Sequence, residues 1–180
     1  MASQDPGSEK PAPGIGFLDQ QEFGEFYRRT APALLGYIRR VAGNFHSAED
    51  ILQSAYIRLL NAPALPEAGR RAYLYTIATN LFKDEWRRQA RERRWWQFNT
   101  PDESYRSDPG LSLDMTQLLK SLKPRERALL WLAYGEGFDH REIAAILKVS
   151  ERGVRVLLHR VRKKARTLLT QSGQPAMVKS

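Results

Sequence analysis

The sequence predicts an all-α protein: two small helical domains joined by a flexible linker, the C-terminal one a helix-turn-helix. The first reason is that apolar residues recur with a helical period along most of the chain. The second is that sustained apolar alternation, and Asn-Gly or Asp-Gly turns between apolar runs, are missing. The third is the segment NTPDESYRSDPG, residues 99–110, which is polar, contains two prolines and has no period. A chain of 180 residues is long enough for two small domains.

These signals divide the chain into five segments. Residues 1–16 form a leader rich in Pro, Gly and Ser, which we expect to be disordered. The N-terminal domain, 17–97, is followed by the linker, 98–112, the C-terminal domain, 113–170, and a polar tail, 171–180. The sequence has no secretion signal, no apolar run near the ~18–20 residues that cross a bilayer, and no cysteine. We therefore expect a cytoplasmic protein without disulfides, membrane insertion or thiolate chemistry.

Three helices are predicted in the N-terminal domain. We expect Pro32 to kink or interrupt the first helix. Ser47 is the predicted N-cap of the second, with Asp50 three residues on in a capping-box-like position. The third runs from about residue 70 to residue 94. The apolar arcs comprise Phe23, Phe26, Tyr27, Leu34, Ile38 and Val41 in the first helix, Ala48, Ile51, Leu52, Ala55, Tyr56 and Leu59 in the second, and Leu74, Ile77, Ala78 and Leu81 in the third.

Positive charge is concentrated in the C-terminal domain. The formal net charge is +9, and residues 148–166 contain eight basic residues against Glu151 alone. Such concentration is typical of a nucleic-acid-binding protein, although a solvated charged face is the alternative.

The basic residues occupy one face of a predicted helix-turn-helix. Asp139 and Glu142 stand at the N-cap and N3 positions of a helix that ends near Leu147, and Ser150 caps the next helix. A helix-turn-helix whose second helix enters the DNA major groove has this form, whereas a helix that only confers solubility would usually mix charge signs. The packing arc is Val154, Leu157, Leu158, Val161, Ala165 and Leu168, and the opposite arc is Arg152, Arg155, His159, Arg162, Lys163 and Arg166.

Two faces in the N-terminal domain indicate functions beyond packing. The outer arc of the second helix, Asp50, Gln53, Ser54 and Ile57, places one apolar side chain among polar groups, which suits docking on another protein's helices. One edge of the third helix suits single-stranded nucleic acid, because aromatics stack on bases and cations follow the backbone. Trp86, Trp95 and Trp96 either add stacking surfaces or pack against the domain. This edge contains Tyr73, Thr76, Asn80, Lys83, Asp84, Arg87 and Arg91.

Four pieces of the sequence, in this order, resemble bacterial sigma factors of the extracytoplasmic-function (ECF) type, in the sigma-70 family. FYRRTAPALLGYIRR with SAEDILQSAYIRLL resembles the segment that binds the clamp helices of the largest polymerase subunit. AYLYTIATNLFKDEWRRQARER is similar to the helix that melts and reads the promoter −10 element. LLKSLKPRERALLWLAYGEGFDHREIAAILKVS and ERGVRVLLHRVRKKAR are similar to the domain that reads the −35 element. The resemblance spans residues 17–169.

The resemblance implies an alternative sigma factor that binds core RNA polymerase and directs promoter-specific initiation. Asn80 matches an asparagine that helps to hold a flipped-out promoter base, and the loop at residues 61–69 would complete its pocket. The implied site residues are Glu49, Asp50, Gln53, Ile57 and Arg58 for core polymerase; Tyr73, Thr76, Asn80, Lys83, Arg87 and Arg88 for the −10 single strand; and Arg152, Arg155, Val156, His159, Arg162 and Lys163 for the −35 element.

The implied partners are core polymerase, promoter DNA and an anti-sigma factor. The N-terminal domain would bind the clamp helices, and the C-terminal domain the flap of the second-largest subunit. No catalytic residue, metal or cofactor is expected, because the sequence contains no nucleophile–base pair, ligand cluster or phosphate-binding glycine loop. The resemblance also implies a cytoplasmic protein that is nucleoid-associated when in the holoenzyme.

The sequence departs from the family's pattern chiefly in the recognition helix. Gly153, Val156 and Leu157 stand where the family usually has threonine, serine and arginine. Of all the properties that the resemblance implies, the sequence preference at the −35 element is therefore the one that carries over least to this chain. Ser47 replaces a common aspartate, and Tyr73 a frequent tryptophan.

Two alternatives to the sigma-factor interpretation remain: a polymerase-independent helix-turn-helix regulator, and an interaction protein that sequesters a partner. An enzyme is the least supported class.

Overall fold

In a computed structural model of the chain, the described residues are 20–42, 48–63, 65–95 and 113–172. The predicted leader and linker, and residues 173–180 of the predicted tail, lie outside them. The described residues are helical wherever they have regular structure, which confirms the all-α prediction. The elements are α1 (Gln20–Ala42), α2 (Ala48–Leu60), α3 (Glu67–Trp95), α4 (Leu113–Ser121), α5 (Pro124–Leu130), a π-helical turn (Trp131–Gly135), α6 (His140–Leu147) and α7 (Glu151–Ser172).

The N-terminal domain packs α1, α2 and α3 around one apolar core. The predicted buried arc of α2 is confirmed at all six positions, and in α3 Leu74, Ile77 and Ala78 are buried while Leu81 is half-buried. In the α1 arc, Phe26, Leu34, Ile38 and Val41 are buried, Phe23 is half-buried and Tyr27 is exposed. Because these arcs are packed in the core, the opposite side of α2 and one edge of α3 face outward.

Helix α1 runs through Pro32 as one element, so Pro32 does not interrupt it, and the kink stays a prediction. A proline inside a helix costs about 3 kcal/mol because it removes one backbone hydrogen bond and crowds the preceding turn. Leu34, Ile38 and Val41 are fully buried beyond it. Each contributes about 1.5–3 kcal/mol of apolar burial, which exceeds the cost of the proline.

Two further boundaries differ from the sequence prediction. Helix α3 begins at Glu67, so the predicted loop 61–69 ends at Pro66. The acidic Glu67 in the first turn favours this start, because a negative charge interacts well with the positive end of the helix dipole. The predicted cap at Ser47 lies outside the described residues.

The helix-turn-helix of the C-terminal domain is formed by α6 and α7, and its predicted caps are confirmed. The Asp139 carboxylate accepts a hydrogen bond from the Glu142 amide at 2.8 Å, and the Asp139 amide donates to the Glu142 carboxylate at 2.9 Å. The Ser150 hydroxyl accepts from the Gly153 amide at 3.0 Å at the start of α7. Lys148 ends α6 in the left-handed conformation, with φ of 55°.

The two domains also pack directly on each other, with α1 against α5 and α3 against α6. Arg71 and Tyr75 of α3 reach Glu136, which follows the π-helical turn. The Arg40 guanidinium lies over the Trp131 ring, 4.2 Å from its centroid. The sequence predicts a linker between the domains but does not predict this contact.

Candidate polymerase and nucleic-acid interfaces

Helix α7 presents a basic face to solvent, as predicted. Its apolar residues Val154, Leu158 and Val161 are buried against the domain, and Leu157 is half-buried. Val156 is 45% exposed and lies within the basic face, where a methyl group could contact a thymine. The six cationic or imidazole side chains of this face are all exposed: Arg152, Arg155, His159, Arg162, Lys163 and Arg166.

A shallow groove runs along this face of α7. Arg155, Val156, His159, Arg160 and Lys163 line it. Arg155 forms an exposed ion pair with Glu151 at 2.9 Å, four residues earlier. Such a pair contributes little in water, so Arg155 can exchange its partner for a phosphate or a base edge at small cost.

A second basic surface lies along α3. Asn80, Lys83 and Arg87 line one wall of a cleft of about 630 Å³. Thr76 is half-buried and donates its hydroxyl hydrogen to the Ala72 carbonyl at 2.9 Å, while Tyr73 is 37% exposed. The structure therefore brings three of the predicted −10 residues into one cleft, and leaves Tyr73, Thr76 and Arg88 outside its lining.

The other walls of this cleft come from elements that the sequence did not connect with α3. Arg58 contributes from α2, Arg125 from α5, and Leu147 and Lys148 from the end of α6. Arg58 was predicted to contact polymerase, and its place beside Asn80 is an additional finding. The sequence interpretation assigned no role to Arg125 or Lys148, because only the packing of the two domains brings them near α3.

Lys83 is the cation most affected by this arrangement. Its half-buried position lowers the pKa of its ammonium group, and the nearby charges of Arg125, Lys148 and Arg87 lower it further. The Asp84 carboxylate raises the pKa of Lys83 in part, and it also forms an ion pair with Arg87 at 3.6 Å. One carboxylate among five cations leaves the cleft strongly positive, so it favours an anionic ligand.

The outer face of α2 combines polar groups with two exposed apolar side chains, because Leu60, three residues after Ile57, is 36% exposed beside the predicted Ile57. Asp50, Gln53 and Ile57 are exposed, with Ile57 at 51%. Glu49 is exposed and accepts a hydrogen bond from the Arg39 guanidinium, which lowers the pKa of the Glu49 carboxyl. A small apolar centre with polar groups around it is the composition of a protein–protein interface.

The tryptophans have different surroundings. Trp86 is 52% exposed on α3, so it does not pack into the domain. The Trp95 side chain and Trp96 lie outside the described residues. Trp131, which the sequence interpretation did not single out, is half-buried between the domains and donates its indole N–H to Glu136 at 3.0 Å.

No group of three or more His, Cys, Asp or Glu side chains among the described residues could hold a metal ion. None of the helices in that part of the chain is sufficiently long and apolar to span a membrane.

Comparison with known proteins identifies the family. Residues 26–92 match the family model of sigma-70 region 2, and residues 112–164 match that of sigma-70 region 4. The chain is 31% identical over 160 residues to RNA polymerase sigma factor CarQ of Myxococcus xanthus, covering 83% of this chain and 90% of CarQ. It is 31% identical over 157 residues to ECF RNA polymerase sigma factor SigL of Mycobacterium tuberculosis strain H37Rv, covering 82% of this chain and 88% of SigL.

A solved structure supports the same fold. The sigma factor RpoE of Bartonella quintana, solved in complex with the anti-sigma factor NepR, superimposes with a TM-score of 0.68. The superposition covers 83% of this chain and 98% of RpoE, at 22% sequence identity.

A helical chain that carries sigma-70 regions 2 and 4 is a transcription initiation factor rather than an enzyme. The chain belongs to the sigma-70 family and, within it, to the ECF type. It directs transcription initiation through core RNA polymerase. The family resemblance recognised in the sequence, and the non-enzymatic assignment that it implied, are confirmed.

Proposed function

We propose that this sigma factor binds core polymerase through α2, reads the −35 element with α7, and captures −10 bases along α3. The observation that carries the proposal is the basic cleft in which Asn80 lies beside Lys83 and Arg87. An amide that can bond an exposed base edge, flanked by cations that can bond phosphates, is the chemistry that an unpaired strand requires. Arg88 is exposed farther along α3 and extends the cationic path.

The capture of a base along α3 must offset the cost of unstacking it, which is a few kcal/mol. The half-buried Asn80 amide provides directional hydrogen bonds, and the exposed ring of Tyr73 provides stacking area. Residues 61–66 precede α3 and would complete the pocket for the flipped base.

The contact with polymerase is proposed for α2 because its outer face is available. Ile57 would enter an apolar site on the clamp helices while Glu49, Asp50 and Gln53 bond polar groups around it. Arg58 lies between the two proposed contact surfaces, since it follows Ile57 on α2 and also lines the cleft beside Asn80. The C-terminal domain would contact the flap of the second-largest subunit.

The −35 contact is proposed for the exposed face of α7. Arg and Lys side chains would bond phosphates and guanine edges, and Val156 would contact a thymine methyl group. Arg152, Arg155, His159, Arg162 and Lys163 lie on one face, which extends over about three turns of helix. Half-buried Leu157 would take no part, so a phosphate contact usual in the family would be missing.

Regulation by an anti-sigma factor in the cytoplasm forms part of the proposal. Its support is the family and the solved structure of RpoE, which was determined in complex with the anti-sigma factor NepR. The proposed domain limits are residues 17–97 and 113–170, with the linker between them.

In-vitro transcription tests the proposal as a whole. Purified core polymerase would be incubated with a genomic fragment library, with and without the full chain, and the start sites mapped. New start sites that share sequence near −10 and −35 are expected. A tight footprint on duplex DNA without polymerase, and no new start sites with it, would instead favour the polymerase-independent regulator.

A further inference from the structure

The basic cleft beside Asn80 gathers positive charge that its own side chains do not neutralise. Its one carboxylate, Asp84, pairs with Arg87 at 3.6 Å. In the part of the chain that the structure describes, the other four cations of the cleft form no ion pair: Arg58, Lys83, Arg125 and Lys148. Like charges that line one small space repel each other, and a bound anion would relieve this repulsion. The cleft therefore favours an anionic ligand more strongly than an ordinary charged surface does.

Lys83 shows the effect of this crowding. It is half-buried, so desolvation lowers the pKa of its ammonium group, and the charges of Arg125 and Lys148 lower that pKa further. A phosphate beside Lys83 would replace the lost hydration with a charge-assisted hydrogen bond. The negative charge of the phosphate would also offset the repulsion between Lys83 and the other cations of the cleft. Both effects favour an anion here more than they would at an exposed lysine.

The size and the charge of the cleft fit one class of anion. Its volume of about 630 Å³ lies in the range of roughly 300–1,000 Å³ that is typical of small-molecule sites. Five cations and one carboxylate give its lining a formal charge of +4. A chain of three phosphates carries about four negative charges at neutral pH, whereas a single phosphate carries at most about two. A triphosphate chain therefore matches the charge of the lining.

Other groups in the lining can recognise a base. The Asn80 amide is half-buried and offers both a donor and an acceptor, the combination that the edge of a base requires. Leu147 lines the cleft from the end of α6 and gives apolar surface on which the flat face of a base can pack. The guanidinium planes of Arg58 and Arg125 can stack on a base in the same way. Inorganic polyphosphate would leave these groups unused, so the lining suits a nucleotide better.

The backbone at Lys148 indicates that its side chain has a function. Among the residues that the structure describes, Lys148 is the one residue other than glycine with a positive φ, 55°. Glycine is the usual residue where a helix ends in this conformation, because a Cβ is strained there. A lysine therefore stands where glycine would be less strained. Its side chain lines the cleft together with Lys83 and Arg125, where a phosphate would need it.

We propose that the basic cleft is a binding site for a free nucleoside 5′-triphosphate. Lys83, Arg125 and Lys148 bond its phosphates, and its base lies against Asn80 and Leu147. The binding rests on the cleft alone, whereas its consequence rests on the proposed function. Because Asn80 and Lys83 would also hold the unpaired −10 strand, the nucleotide competes with that strand and opposes promoter opening.

Titration calorimetry on the full chain tests the binding, with ATP, inorganic tripolyphosphate and adenosine as the probes. Divalent cations are left out, because they would neutralise the phosphates. We expect saturable binding of one ATP per chain, at least about tenfold tighter than tripolyphosphate, since contacts to the base add to those of the phosphates. Adenosine should bind too weakly to measure, and Asn80→Ala should weaken the binding of ATP but not of tripolyphosphate. Equal affinities for ATP and tripolyphosphate, or no saturable binding of ATP, would refute the nucleotide site.

Variants locate the site on the protein, with circular dichroism to check that each is folded. Arg125→Ala combined with Lys148→Gly should weaken ATP binding at least about tenfold, because two charge-assisted contacts are lost. Glycine is chosen at position 148 because it keeps the left-handed conformation without strain. Lys120→Ala with Arg141→Ala is the matched control, since it removes the same charge from exposed positions on α4 and α6 and should leave the affinity unchanged. Equal losses of affinity in the two double variants would mean that ATP responds only to net charge, which would refute the site.

Promoter opening tests the competition separately. Core polymerase, the full chain and a dependent promoter would be mixed at increasing ATP concentrations, and opening measured as permanganate reactivity of −10 thymines. ATP should reduce opening. Arg125→Ala with Lys148→Gly should open the promoter normally without ATP, and should need at least about tenfold more ATP for the same reduction. ATP binding without any effect on opening would refute the competition and retain the site. If the unchanged chain opens no promoter at all, the proposed function fails, and the calorimetry still decides on the site.

Discussion

The hydroxyl oxygens of Thr30 and Tyr56 lie 2.7 Å apart and join α1 to α2 directly beneath the outer face of α2. The Thr30 hydroxyl also donates to the Phe26 carbonyl at 2.7 Å, so Tyr56 donates to Thr30. Burial raises the pKa of the Tyr56 hydroxyl to about 12. The interface that carries the proposed polymerase contact thus depends on a neutral tyrosine.

The first prediction concerns alkaline stability. Tyr56 has its ordinary pKa of 10.0 when unfolded and about 12 when folded, so its contribution is complete below pH 10. Between pH 10 and about 12 the unfolded chain loses this proton first, and stability falls. Tyr56→Phe should cost about 1 kcal/mol at pH 8 and should reduce the loss between pH 10 and 12. Urea unfolding at several pH values measures both effects.

Burial also raises the pKa values of Tyr37 and Tyr75, so the Tyr56→Phe protein keeps some alkaline sensitivity. Tyr134→Phe is the control, since Tyr134 is 62% exposed and its loss should not change stability. An unchanged pH profile in Tyr56→Phe would contradict the role assigned to the hydrogen bond with Thr30.

Local patterns in the sequence were sufficient for most of the fold. The arc of α2, the caps at Asp139 and Ser150 and the basic face of α7 depend on residues three or four positions apart, and each is confirmed. In the packing arc of α7, Val154, Leu158 and Val161 are buried, Leu157 and Ala165 are half-buried, and the Leu168 side chain lies outside the described part of the chain. Pro32 does not interrupt α1, because the burial that outweighs its cost comes from contacts of α1 with α2 and α3. A propensity argument limited to one helix does not include that burial.

The contact between the domains could not be predicted in this way. Arg71 and Glu136 are 65 positions apart, and neither stands in a periodic pattern that would indicate a partner. The same limit explains why Arg125 and Lys148 were not connected with Asn80. The glycines on either side of Glu136 were the available signal, since closely spaced glycines indicate a backbone position with a special requirement.

The second prediction separates base capture from polymerase binding. Asn80→Ala removes an amide from the cleft but no charge, so binding to core polymerase should stay near normal. Promoter opening, measured as permanganate reactivity of −10 thymines, should fall about ten- to a hundredfold, as expected for the loss of contacts to one base. Gln117→Ala, which removes an exposed amide from α4, should have no effect. Loss of polymerase binding in Asn80→Ala would show that the residue acts elsewhere.

The third prediction tests the outer face of α2. Asp50→Arg combined with Gln53→Arg should weaken association with core polymerase at least about tenfold, because like charges and a lost hydrogen bond cost more than 1.4 kcal/mol. Co-purification or fluorescence anisotropy measures the affinity. Glu25→Arg with Gln21→Arg makes the same change in charge on exposed residues of α1 and should leave binding intact. Equal loss in both proteins would point to net charge rather than to this face.

The fourth prediction concerns the charges of α7. Binding of the holoenzyme to a −35 element releases counterions from each neutralised phosphate, so the logarithm of affinity falls linearly with the logarithm of salt concentration. If Lys163 contacts a phosphate, Lys163→Ala should weaken binding similarly on all sequences and reduce the salt slope by about 1. Val156→Ser should instead leave the slope unchanged and alter the preference at one base pair, because a methyl contact carries sequence information without charge.

Arg28→Ala, which removes an exposed cation from α1, is the control and should change neither the salt slope nor the base preference. A reduced slope in Arg28→Ala equal to that in Lys163→Ala would mean that overall charge, rather than the face of α7, sets the affinity for DNA.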